Sequence, residues 1–418
     1  MRSASSGAKV IVIGAGAIGA SVARELAISG REVTVIDKLG GWGRAASLGN
    51  AGYICGSHAG PWATRREMGQ ALRWLAKRDS PLAMRPSASL APFFARLLTT
   101  GPDAIERAYS LNRLMLRRSL ELHRGLSAEG MDTGFAQQGL LDVYENQARF
   151  DDAVEVAASQ SADGVQAVPV SREEIRVLEP ALEADVIGGV LFPNDAHCDP
   201  ERFTPAVGED AVRHGATTQF GTSVIRIERR GTGVRVLTTA GSIVGDYVVI
   251  AMGAYAPTVA RKPLHSLQGG KGFSFEFMAQ GEQILQRPTM LQEQRLAVSP
   301  LPGRTRVVGM MQFAGLDERI DLKRVESMER SAKRAFPQFA NASRVSTWAG
   351  LRPCTPDGLP MIGWANDRVM VATGHAMLGV ALAPETGERV CQLFDGGLPA
   401  GSEYLDPNRY SVGGRIRP

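Results

Sequence analysis

The stretch VIVIGAGAIGASVARELAISGREVTVID, residues 10–37, constrains this chain more than any other. Its opening apolar run, residues 10–13, reads as a buried parallel strand. Gly14, Gly16 and Gly19 then open a helix that runs to about Ser29, with Ala17 and Ile18 in its first turn. The three glycines play different parts. Gly14 permits the tight turn, Gly16 lets backbone approach a pyrophosphate, and Gly19 allows the helix to pack closely on the strand. A second strand, residues 32–36, ends on Asp37 and Lys38. Asp37 lies 18 residues beyond Gly19, where a carboxylate can accept hydrogen bonds from an adenosine ribose. A lone glycine triplet is a weak signal. Strand, turn, helix, second strand and terminal acid together indicate a site for a dinucleotide.

The bulk numbers suit a folded enzyme-sized chain. Its 418 residues, 44% hydrophobic and 22% charged, suggest two or three domains with sizeable cores. Cys55, Cys198, Cys354 and Cys391 show no Cys-x-x-Cys spacing, so neither a disulfide framework nor a zinc site is indicated and a reducing compartment fits. The six histidines lack metal-ligand spacing, so no metal is expected. No leader pattern precedes the first strand, and no uninterrupted apolar stretch is long enough to span a bilayer. The net charge of +4 is too small to identify a partner.

Residues 40–60, rich in Gly, Ala and Ser, read as a loop whose backbone approaches something closely. Residues 65–78 and 110–126 read as basic amphipathic helices. Strands are expected near Leu140 and Leu191, a helix over residues 200–215, and an antiparallel meander from Val224 that ends in a buried strand and a turn at Gly253. Further strands follow, and residues 322–336 read as a charged helix. Similar glycine turns recur near residues 253 and 374, so the expected α/β architecture has a discontinuous Rossmann domain, residues 1–60, 200–262 and 346–418. A substrate domain built on a mixed or antiparallel sheet, residues 61–199 and 263–345, is inserted between its pieces.

Four stretches resemble the FAD-dependent D-amino acid oxidase superfamily, particularly its bacterial D-amino acid dehydrogenase branch. They are the fingerprint; SLGNAGYI with SPLAMRP; FPNDAHCDPERF; and WAGLRPCTPDGLPMIG with TGHAMLGV. The resemblance implies a glutathione-reductase-like FAD-binding domain and a second sheet covering the flavin. It also implies that Arg352, in GLRP, pairs with the substrate carboxylate. A guanidinium fork matches a carboxylate in a bidentate manner, and the following proline stiffens its position. Arg44, Ala45, Ser47, Asn50, Ala51 and Gly52 match the loop that wraps the pyrophosphate and flavin. Val224 matches a contact to adenine and Gly253 a turn near the diphosphate. Gly374, His375, Leu378, Gly379 and Val380 match the segment facing the flavin pyrimidine edge. His375 reads as a structural histidine ahead of an acid or base. Tyr53, His58, Lys271, Gln312 and Met377 are the expected pocket walls. The cysteine that tethers flavin in sarcosine oxidase is replaced here by Gly350, so FAD is expected to be non-covalent.

The implied reaction is oxidative deamination of a D-amino acid, small or cyclic, such as D-alanine, D-proline or a hydroxy-D-proline. It needs a neutral amine, a fixed carboxylate and a Cα–H aimed at the flavin, so no catalytic side chain is expected. In the dehydrogenase branch the electrons go to quinone, and the basic stretch at residues 65–78 suits peripheral contact with the inner face of a cytoplasmic membrane as well as it suits packing in a cytoplasmic protein. An oxygen-using oxidase and a non-catalytic FAD-binding subunit are the alternatives. Nucleic acid is not expected as a partner, because Arg113, Arg117, Arg118 and Arg124 come without stacking aromatics. The oligomeric state is open.

Overall fold

The computed structural model describes residues 6–60, 82–85, 90–162, 164–278 and 285–410. The basic stretch at residues 65–78 lies outside them. The fingerprint forms β1 (Lys9–Ile13), α1 (Ala17–Ile28) and β2 (Glu32–Ile36). After Lys9 every residue of β1 is buried, as an apolar run with no alternation requires when both faces of a parallel sheet are covered. The sheet has six strands in the order Met361–Trp364, Val369–Thr373, Tyr247–Ile250, β1, β2 and Thr217–Gln219. All neighbours are parallel except the first two, which form an antiparallel hairpin.

Small residues govern how helices cover this sheet. α1 buries Ala17, Gly19, Ala20, Val22, Ala23 and Leu26. The helix Ala383–Phe394 lies so close to α1 that a Cβ on Gly387 would stand 2.6 Å from the Ser21 carbonyl oxygen. The helix Pro102–Ala128 adds Leu111, Met115, Leu116 and Leu126 to the same core. It contains the expected basic helix, and Arg118 pairs with Glu388 while Arg124 donates to Gln137. The three strands Val224–Arg230, Gly233–Thr238 and Gly241–Gly245 form the expected antiparallel meander before the buried strand Tyr247–Ile250.

The second large sheet has nine strands. Its order is Arg344–Cys354, Gln268–Met278, Arg304–Phe313, Leu296–Leu301, Thr289–Leu291, Leu140–Tyr144, Gly188–Phe192 and Val168–Ser171, with Leu82–Met84 added beside Arg304–Phe313. The sheet is mixed, since Leu140–Tyr144 runs parallel to Thr289–Leu291 and Leu82–Met84 parallel to Arg304–Phe313, while the other pairs are antiparallel. One face carries Phe273, Phe275 and Phe277 against Phe336, Phe339 and the helix Leu322–Ala335. The other face carries Trp348, Ser274, Val308, Ala297, Met290 and Asp142 as one cross-strand row. Strand alternation sets the two apart. The Arg352 strand therefore belongs to this sheet and Pro102–Ala128 to the core of the other, so packing crosses the sequence boundaries expected at residues 345 and 61.

Candidate cofactor and substrate site

A cavity of about 590 Å³ runs from the carboxyl end of β1 to the Trp348 face of the nine-stranded sheet. Gly14, with φ +109°, starts the turn, and its N–H donates to the Ile36 carbonyl at 2.8 Å. A Cβ there would meet the Ala251 carbonyl oxygen at 2.4 Å, and one on Gly19 would meet the Gly14 oxygen at 1.8 Å. Gly16 caps α1 with no side chain, and no acid occupies the first turn. The positive end of the helix dipole thus faces the cavity with no carboxylate on it, which suits a phosphate. The Asp37 carboxylate is fixed at the end of β2 by the N–H groups of Ala15 at 2.7 Å and Leu39 at 2.8 Å. Two fixed oxygens retain lone pairs for a ribose.

Most of the expected cofactor residues line this one cavity: Gly14, Gly16, Ala17, Ile18, Asp37, Lys38, Ala45, Ser47, Asn50, Ala51, Val224, Gly253, His375, Leu378, Gly379 and Val380. Ser47 accepts a hydrogen bond from the Ala17 N–H at 3.0 Å, which ties the glycine-rich loop to the start of α1. Gly19, Arg44, Gly52 and Gly374 do not reach it. Gly19 serves the helix–strand contact, and Arg44 points outward. Gly52, with φ +76°, lies against the Cys198 backbone, whereas Gly374, with φ +85°, lies against Thr355. His375 hydrogen-bonds to Thr386 at 3.0 Å, and burial lowers its pKa to about 3, so the ring is neutral.

On the sheet side, Arg352, Tyr53, His58 and Met377 line the cavity. The Arg352 guanidinium lies over Gly272, where a Cβ would stand 2.4 Å from its Cζ, and donates to the Met310 carbonyl at 2.6 Å. Met310 adopts φ +65° where the strand bulges, and the bulge turns this carbonyl toward the arginine. No acidic side chain among the described residues forms an ion pair with Arg352, and burial lowers its pKa from the ordinary value. Lys271 and Gln312 are corrections. They pair with each other one position from Gly272, so the period of two sends both to the opposite face. There Lys271 donates to the Arg319 carbonyl at 2.9 Å and lies 3.6 Å from Asp317. Tyr53 presents only its ring, because its hydroxyl donates to the Thr289 carbonyl and accepts from the Val298 N–H.

His58 is the polar end of this wall. Its Nδ1 lies 2.7 Å from the Ser57 hydroxyl, which donates to Asp195 at 2.5 Å. Its Nε2 lies 3.3 Å from Asp142, which also accepts from Gln292 at 2.8 Å. Burial opposes the charged ring, but the Asp142 carboxylate outweighs it and holds the His58 pKa well above the ordinary value. Burial likewise raises Asp195 to about 6. Cys55, His58 and Asp195 bring ligand-type atoms within 4.8 Å of one another. His58 Nδ1 is engaged by Ser57, Nε2 faces Asp142 and burial raises the Cys55 thiol, so the group is a polar network, whose Cys55-x-x-His58 spacing does not stand out in the sequence.

Several residues in or behind the cavity wall were not foreseen. Trp348 lies between Gly49 and Gly350, where added Cβ atoms would come within 2.0 and 1.8 Å of its ring. Tyr255 also lines the cavity, with the expected Lys38 lying 3.7 Å from the centre of its ring at the nucleotide end. Arg306, held by Glu276 at 2.6 Å, donates to the carbonyls of Leu48 and Asn50 at 2.8 and 3.0 Å. It fastens the glycine-rich loop to the sheet. Only the tryptophan, two residues before Gly350 in WAGLRP, carried a signal local enough to notice.

The family model described as FAD dependent oxidoreductase matches residues 9–393. A D-amino acid dehydrogenase of Rhizobium rhizogenes is 30% identical over 404 residues, covering 93% of this chain and 96% of the relative. One of Chromohalobacter salexigens is 30% identical over 423 residues, covering 97% and 100%. The crystal structure of glycine oxidase from Geobacillus kaustophilus shares the fold with a TM-score of 0.79 at 24% identity, covering 97% of this chain and 100% of that one. The helix end free of carboxylates, the glycine cradle and the fixed Asp37 all fit the adenosine diphosphate half of FAD, and the chain belongs to the FAD dependent oxidoreductase family, with FAD as its cofactor.

Proposed function

We propose that this protein is a D-amino acid dehydrogenase that oxidises small or cyclic substrates, D-alanine, D-proline or a hydroxy-D-proline, and passes the electrons to a quinone. The observation that carries the reading is Arg352: a cation in the cavity wall, on the same sheet face as the apolar row, with a backbone carbonyl as its hydrogen-bond acceptor. A buried charge without a counter-ion is costly, and a substrate carboxylate removes that cost on binding. The resemblance that assigns this arginine to the carboxylate and the names of the relatives support the same reading.

In this reading Arg352 fixes the carboxylate, the Tyr53 ring and Met377 wall the α-carbon, and Gly272 leaves room for the guanidinium. Leu378, Gly379 and Val380 would hold the flavin at its pyrimidine edge, and Ser47, Asn50 and Ala51 belong to the loop that would wrap the pyrophosphate and flavin. FAD, when bound, supplies a two-electron acceptor for the Cα hydride, and water hydrolyses the released imine. Neutral His375 takes no proton at ordinary pH. The Trp348 ring over Gly350 leaves no room for a tethering side chain, which supports non-covalent FAD. The division into a FAD body, residues 1–60, 200–262 and 346–418, and a substrate body, residues 61–199 and 263–345, belongs to the same proposal, with the Arg352 strand and the helix Pro102–Ala128 exchanged between the two. No helix among the described residues is long and apolar enough to cross a membrane.

Anaerobic mixing with a panel of D- and L-amino acids and N-methyl glycines tests the proposal. Loss of the flavin colour with D-amino acids alone is expected, and bleaching only by L-amino acids or by no amino acid overturns it. Under air, turnover that needs a quinone or dye supports the dehydrogenase, whereas stoichiometric peroxide makes the protein an oxidase.

A further inference from the structure

The amino-acid reading leaves one part of the cavity wall unused. The row Trp348, Ser274, Val308, Ala297 and Met290 is largely apolar until it reaches Asp142, and there the wall turns charged. Asp142, Asp195 and Ser57 are all more than nine-tenths buried. His58, whose side chain keeps 31% exposure, is the member that lines the cavity. Packing alone does not call for this. A well-packed apolar group is usually at least as stable as a buried ion pair, so the pair adds little to the fold.

We propose that His58, held between Asp142 and the Ser57–Asp195 pair, is a side-chain subsite that selects amino-acid substrates bearing a neutral oxygen group, a hydroxyl or carboxamide, over apolar ones. The inference rests on the amino-acid reading above. Its geometry follows from the strand order. The Arg352 guanidinium reaches the Met310 carbonyl on Arg304–Phe313, and Asp142 stands three strands further on. At about 4.8 Å per strand that is roughly 14 Å between the two strands, and His58 lines the cavity between them. A carboxylate at Arg352 therefore leaves its α-substituent directed along the apolar row toward His58.

The hydrogen-bond chain defines what His58 can offer. The Ser57 hydroxyl spends its proton on Asp195 and so accepts from His58 Nδ1–H. Nε2–H is then the donor toward Asp142, and at 3.3 Å this contact is long: the Asp142 oxygen concerned makes no hydrogen bond. An oxygen on the substrate can accept from the same N–H at the cavity surface. The imidazolium charge is balanced by Asp142, so a carboxylate gains no net attraction and an ammonium meets a donor. Gln292, which also lines the cavity, is held by its amide to Asp142 and completes the polar end.

The test compares matched pairs on the holoenzyme by steady-state kinetics with an artificial acceptor: D-threonine against D-valine, hydroxy-D-proline against D-proline, and D-glutamine against D-norleucine. A hydrogen bond to a charged donor predicts a kcat/KM ratio of about 10 to 100 in favour of the oxygen-bearing member for at least the pair that fits best. In His58→Leu, and separately in Asp142→Asn, that ratio falls toward 1 whatever the absolute rates become. Ratios at or below 1 for all pairs in the native protein overturn the proposal. So does a ratio unmoved by both substitutions, or a stronger preference for D-aspartate or D-lysine. Turnover of none of these amino acids, by contrast, removes the amino-acid reading itself.

Discussion

Arg352 and Tyr53 sit in one cavity yet ask different things of a mutation. Replacing Arg352 by Ala removes the proposed carboxylate anchor, and kcat/KM for the best D-amino acid is expected to fall by roughly 10²–10⁴ while FAD stays bound. Kinetics near the native values would remove the assignment. Tyr53→Phe takes a hydroxyl out of a backbone junction and leaves the Val298 N–H without its acceptor. Denaturant unfolding should show a loss of about 1–3 kcal/mol, with the order of preferred substrates unchanged. The local string GLRP was enough to find Arg352. Lys271 and Gln312 could not be judged in the same way, because whether a strand residue faces a cavity depends on register, and one step along the strand reverses it.

Among the elements, α1 and the helix Pro102–Ala128 carry the clearest consequences. In Gly19→Ala the new methyl overlaps the Gly14 carbonyl, so β1 and α1 must separate. A stability loss of roughly 3 kcal/mol and weaker FAD retention are expected, readable by thermal melting and by flavin released on gel filtration. His123, on the long helix, is fully buried and its pKa is lowered by burial to about 4. The unfolded chain binds a proton near pH 6.5 that the folded one refuses until about pH 4, so stability is lost as pH falls through that window. His123→Gln should abolish up to roughly 3 kcal/mol of that acid-side loss, seen as a shallower fall in melting temperature from pH 6.5 to 4 against the native protein. An equal slope in both would show that His123 takes up its proton when folded. Helices and strands such as Pro200–Arg213, Leu322–Ala335 and Gly188–Phe192 were legible from periodicity, since their burial follows from local pattern. The bulge that turns the Met310 carbonyl toward Arg352 was not, because an extra residue in one strand shows only against its partner.

For the molecule as a whole, the cofactor cavity is bounded by both large sheets, so FAD held there would bridge them and its binding energy would add to folding stability. Stripping it should lower stability by about 2.7 kcal/mol relative to the protein at a hundredfold excess over Kd, and re-addition should restore the melting temperature in a concentration-dependent way. A melting point indifferent to FAD would deny the bridge. By itself the sequence determined the nucleotide-binding half: a strand, a glycine turn, a helix and an acid are adjacent in the chain, and adjacency makes their geometry nearly local. Only tertiary structure decided the substrate half. Residues 58, 142 and 195 meet, and residues 58 and 352 share one cavity, through strand order, register and a bulge, and those long-range pairings leave no periodic trace in any one segment.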